Sequence, residues 1–126
     1  MSSQHSDDFF HVEDKFLKVM ADFCAEGLWT SSGSLSPYSL PLSDDLRERF
    51  IAWNWWYDLE YEGRDKDFDM DAFVSEGLGI AKQLKRELPD WTIFYFDEAE
   101  FLRSFNLEQE TGQKPDLGRR CYEIIL

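Results

Sequence analysis

Side chains able to do chemistry are concentrated between Asp65 and Glu76. There Asp65, Asp67, Asp69 and Asp71 alternate with Lys66, Phe68 and Met70, and Glu76 follows at the twelfth position from Asp65. Carboxylates at positions one, three, five and twelve have the spacing of a calcium-binding loop. The pattern fails where its geometry is strictest, because position six is Met70 and not the glycine that the sharp turn requires. Residues from Asp71 onward also carry a helical apolar stripe, so the acidic run reads as an interhelical loop with acidic N-capping. Other reactive types are few. His5 and His11 both lie near the amino end, outside any patterned segment. Cys24 and Cys121 form no CxxC pair, and Cys24 has no adjacent cationic residue in sequence to lower its pKa. They fall in apolar segments, which predicts buried, reduced thiols in a reducing compartment. Gly77-Leu78-Gly79 lies inside a helical pattern, whereas a phosphate loop follows a strand. No catalytic set emerges, and no cofactor is implied.

Composition points the same way. The 126 residues carry 26 Asp and Glu against 13 Lys and Arg, a formal charge of −13. Phosphate-backbone binding depends on Lys and Arg, so direct nucleic-acid binding is disfavoured. Yet 17% of the residues are aromatic, which excludes a disordered acidic tail. Between Trp53 and Asp71 the two properties coincide: three Trp, two Tyr and one Phe stand among seven carboxylates. Large aromatics seek burial while clustered carboxylates seek solvent or a cation, and a surface offering both suits a grip on a basic protein.

The elements that must hold this stretch follow from periodicity. Residues 1–14 are polar and weakly patterned and read as a loose tail, leaving 15–126 as a single α+β domain. Alternation from Phe16 to Cys24 predicts a strand, and the Ser-, Gly- and Pro-rich residues 30–41 a loop. Ser43 caps a helix whose stripe is Leu46, Phe50, Trp53 and Tyr57; Ile51, Trp55, Trp56 and Leu59 fall outside it. Asp69 or Asp71 starts a second helix, ending near Leu88 because Pro89 follows. Gly77 and Gly79 each cost that helix about 1 kcal/mol, which close approach to a neighbour would offset. Trp91–Phe96 reads as a central strand, 98–105 as a short helix and Cys121–Leu126 as a last strand. The expected order is strand-helix-helix-strand-strand: a small three-stranded mixed sheet on two helices. Its first two strands are parallel, and the last is antiparallel beside the second. The start of the sequence has no basic-then-apolar leader pattern, and no window reaches the roughly 18 apolar residues of a membrane span. A cytoplasmic, monomeric protein with no membrane contact is expected.

Three runs carry a family resemblance: MADFCAEGLW (20–29), LPLSDDLRERFIAWNWWYD (40–58) and FDMDAFVSEGLGIAKQLKRELPDWTIFYFDE (68–98). The chain resembles small acidic bacterial toxin-immunity proteins, including those of contact-dependent growth inhibition, over about residues 19–98. The resemblance implies a non-catalytic inhibitor that binds a cognate protein toxin domain, a basic nuclease being the best fit to the charge. Trp55, Trp56 and Tyr61 would then serve as anchors, with Asp58, Glu60, Glu62, Asp65 and Asp67 facing toxin Lys and Arg. The alternatives are a carboxylate- or metal-dependent enzyme using Asp65–Asp71, or a non-catalytic adaptor domain.

Overall fold

Ser43 caps the first long helix as its sequence position predicts: its hydroxyl accepts from the Leu46 amide at 3.1 Å. In the computed structural model, which describes residues 15–61, 68–114 and 117–126, that helix is α1, Asp44–Trp56. It runs into a π turn at Tyr57–Tyr61. Helix α2 spans Met70–Glu87, α3 Glu98–Thr111, and a four-residue helix α4 Leu117–Arg120. The strands are β1 (Phe16–Val19), β2 (Leu28–Thr30), β3 (Gly33–Ser34), β4 (Thr92–Phe96) and β5 (Cys121–Glu123).

The sheet is mixed and five-stranded, in the order β3-β2-β1-β4-β5. As expected, β1 and β4 are parallel neighbours, with Leu17 opposite Ile93, and β5 lies antiparallel beside β4. The expected three strands become five because residues 28–34 form a hairpin. Strands of two and three residues are too short for alternation to show, and the Ser and Gly that suggested a loop instead make the turn. There the Thr30 hydroxyl donates to the Gly33 carbonyl and accepts from the Ser32 amide. Three long helices replace the expected two, since α3 continues to Thr111 and is stopped by Gly112 in the left-handed region. Strand β1 is shorter than its alternation. Ala21 is still buried, but the backbone turns at Cys24, whose φ is +55°. That turn leaves Cys24 exposed, and Cys121, on the edge strand β5, is half-buried, correcting the expectation that both thiols are buried.

Helices α1 and α2 lie antiparallel on the sheet and are fastened at three points. At one end Glu87 accepts from both the amide and the hydroxyl of Ser43, each at 2.7 Å. These bonds hold the Glu87 carboxyl below its ordinary pKa against the opposing effect of burial. Midway, Arg49 makes two bonds to Glu76 and one of 2.7 Å to Gln83. At the other end the indole of Trp53 donates to the Phe73 carbonyl at 2.9 Å and stacks on the Phe73 ring. Gly77 is the reason the helices can close there. A Cβ at that position would sit 2.7 Å from the Tyr95 hydroxyl and inside the Trp53 ring. Gly79 faces only the flexible end of Arg49.

This contrast generates a test. Gly77→Ala is expected to lower the unfolding free energy by about 1–3 kcal/mol through overpacking, despite the better helix propensity of Ala. Gly79→Ala should stay within about 1 kcal/mol of the parent. Urea denaturation of the two variants beside the parent measures both.

Candidate partner-binding surface

The rotation of α1 about its axis determines what the acidic-aromatic stretch presents. Leu46, Phe50 and Trp53 point into the core, and so does Asn54, which is 1% exposed. The Asn54 side chain accepts from the Asp22 amide at 3.0 Å and donates to the Asp22 carbonyl at 2.9 Å. A buried amide so matched to a backbone pair is worth its desolvation, and it ties the β1–β2 loop to the helix. With Trp53 and Asn54 both inward, the opposite stripe must face solvent. It consists of Glu48, Ala52, Trp55 and Leu59, spaced four, three and four apart, all exposed. An outward stripe is ordinarily polar. Here Trp55 is 65% and Leu59 69% exposed, side by side at i and i+4.

The candidate residues therefore separate. Trp55 and Glu60 face outward. Trp56 packs against Phe68 at 5.5 Å and edge-on to Phe73 at 5.3 Å, and Tyr61 packs between Tyr57 and Phe68. These two rings cover the core and brace the surface from beneath. Asp58 is half-buried; its Oδ2 accepts a long bond from Asn54, and its Oδ1 has no hydrogen-bond partner. Glu62, Asp65 and Asp67 lie outside the described residues, as do His5, His11 and the 1–14 segment. Sequence reasoning left Leu59 out of the candidate set. It also missed Phe23, half-exposed and edge-on to Tyr57 at 5.9 Å. A polar Asn within an aromatic run was the available signal for Asn54.

Behind this surface sits Glu98, the first residue of α3 and only 6% exposed. Burial pushes its carboxyl up to about 7, the Asp22 and Asp97 charges push the same way, and a hydrogen bond with Tyr61 opposes them. The Tyr57 hydroxyl is raised as well, by burial first and then by Glu98, Asp22 and Asp58. Four carboxylates and two phenols thus share one corner, where the parallel strands β1 and β4 end.

The remaining candidate chemistry is already occupied. Asp69 caps α2 by accepting from the Ala72 amide at 3.0 Å, and Glu76 binds Arg49, so two positions of the calcium-like pattern serve the helix pair. Among the described residues no group of three or more His, Cys, Asp or Glu could hold a metal ion. Burial raises the Cys121 thiol pKa, which leaves it a poor nucleophile at neutral pH. None of the described helices is long and apolar enough to cross a membrane.

The closed α+β core thus turns an indole, a leucine and carboxylates outward. Residues 15–98 match the family described as Serratia CdiI immunity protein-like, and the chain belongs to that family of contact-dependent growth inhibition immunity proteins. No curated protein matches the chain.

Glu98 gives this corner a pH signature. Its pKa is raised from 4.5 to about 7 on folding, so between those values the native state binds the extra proton. Its contribution is fully present below about pH 4.5 and is lost as pH rises through 7, up to about 3 kcal/mol. Glu98→Gln should therefore gain on the parent progressively from pH 4.5 to pH 8, as read by urea unfolding across that range.

Proposed function

We propose that the chain is an immunity protein that neutralises a cognate toxin domain in the cytoplasm by forming a stoichiometric complex, with no catalytic step. The observation that carries this reading is the exposure of Trp55 and Leu59 together on the outward stripe of α1, edged by Glu48 and Glu60. Aromatic anchors within a polar rim are how protein interfaces concentrate their energy. Asp58, Glu62, Asp65 and Asp67 extend the acidic edge in sequence. The partner this fits is a basic surface with an apolar patch. A nuclease, whose cleft must attract phosphates, is such a protein. Complementary charge then speeds encounter, and the buried rings slow dissociation. Trp56 and Tyr61 hold the surface in shape from behind.

The test is co-expression with the toxin domain encoded beside it, scored by growth rescue and by co-purification at rising salt. A tight complex that weakens with salt is expected; absence of a complex at every ionic strength sinks the proposal. Trp55→Ala should raise Kd at least tenfold, about 1.4 kcal/mol or more, while leaving stability within about 0.5 kcal/mol. Trp56→Ala should do the reverse and cost about 2–4 kcal/mol of stability. Titration calorimetry and urea unfolding on the same two variants separate an interface role from a packing role.

A further inference from the structure

The β1–β2 loop, residues 20–27, is fixed in one shape by its polar groups. The Met20 amide donates to the Gly27 carbonyl at 3.0 Å and closes the loop, while the Met20 carbonyl accepts from the Trp29 indole at 2.8 Å. Inside it the Ala25 amide donates to the Asp22 carbonyl, and the Asp22 carboxylate accepts from the Phe23 amide at 2.8 Å. From α1, Asn54 grips the Asp22 backbone through both of its polar groups. A Cβ on Gly27 would come within 3.2 Å of the Phe50 ring and 3.3 Å of Trp53, so the end of the loop lies directly on the core.

What this loop holds out is a phenyl ring. Cys24 takes a φ of +55°, a left-handed conformation that is unfavourable for a residue with a Cβ and persists where the surroundings enforce it. The chain reverses there, and Phe23 stands 49% exposed, with one edge against the Tyr57 ring. None of the hydrogen bonds that fix the loop uses the Phe23 side chain. The loop is acidic around it, with Asp22 before the ring and Glu26 after. Asn54 also donates a long bond to Asp58. One buried amide thus ties together Asp22, next to Phe23, and Asp58, next to the exposed Leu59 of the outward stripe.

We propose that Phe23 is a second anchor of the partner surface, held out by the β1–β2 loop to enter an apolar pocket of the toxin domain whose rim carries Lys or Arg. Asp22, Glu26 and Asp58 face that rim, and Asn54 is the positioning residue that keeps the ring in place before the partner arrives. This inference rests on the immunity reading and adds to it a second element, so that the toxin meets the loop as well as α1. A ring fixed in advance costs little further ordering on binding, which is the circumstance in which one aromatic side chain contributes most. A second copy of the chain is a poor occupant, because each copy carries a formal charge of −13.

Binding kinetics and titration calorimetry of the full-length chain against the toxin domain encoded beside it test the anchor. Phe23→Ala is expected to raise Kd about tenfold or more, mainly through faster dissociation, with the urea midpoint close to that of the parent. Glu26→Lys should instead slow association at low salt and leave dissociation nearly unchanged. In an Asn54→Ala background the further loss from Phe23→Ala should shrink to about threefold or less, because a loop that is no longer gripped cannot present the ring. A tight parent complex that Phe23→Ala leaves within about twofold overturns the anchor while the immunity reading stands. Equal losses from Phe23→Ala with and without Asn54 overturn the positioning role. Self-association of the free chain that Phe23→Ala abolishes assigns the ring to a second copy and overturns the proposal too. A parent that forms no complex at any ionic strength removes the anchor together with the immunity reading.

Discussion

The structure depends on one close approach, the indole of Trp53 lying over Gly77. A helix gives up about 1 kcal/mol to carry glycine at an interior position. In return, the largest side chain in the core reaches α2, the Phe73 carbonyl and the Tyr95 ring of β4 at once. On its other edge the same ring meets Gly27, where φ of +87° and a gap of 3.3 Å for a Cβ again require glycine. Trp53 thereby sets both the spacing of the helix pair and the rotation of α1. Once it points inward, Asn54 falls beside the β1–β2 loop and Trp55 falls outside. The exposed indole is thus a geometric consequence of the buried one two residues earlier.

Local signals with a stereochemical cause were readable from the chain. Ser43 and Asp69 as caps, Pro89 as a stop, the glycine at 77 and the parallel pairing of the central strands each follow from one residue's geometry or one clear alternation. The hairpin at 28–34 was not readable, because its strands are shorter than a detectable period. The candidate site was legible in part. Seven carboxylates and six rings announced a surface of mixed character, but a run of consecutive aromatics does not say which ring points where. Trp55 and Trp56 are neighbours in sequence and lie 100° apart around the helix, so one faces solvent and the other covers Phe73. Asn54 and Glu98 were missed because their roles arise from burial, which only the tertiary structure imposes.

The charge imbalance is sharper at the surface than the composition suggests. Several cations are engaged by backbone carbonyls, Arg47 alongside its ion pair with Asp44. Arg47 donates to the carbonyls of Pro37 and Leu40, and Lys85 to those of Pro89 and Trp91. Arg120 lies over the Phe101 ring. These groups close helix ends and loops, where a positive charge suits the carbonyl-rich termini. Their positive charge is thereby placed on the β3–α1 and α2–β4 connections. Near the outward stripe the carboxylates of Glu48 and Glu60 remain to meet whatever binds there.

The residues beyond the family match complete the corner. Among the described residues, 15–98 contain every buried apolar core position except Ile124. Past Glu98 the chain contributes few buried groups, and α3 leaves Leu102, Phe105 and Leu107 partly open. Its strongest tie to the rest is polar: Tyr122 and the Arg120 carbonyl both engage Asp97. That tie fixes the residue immediately before Glu98. Strand β5, which also pairs with β4, therefore anchors the head of α3.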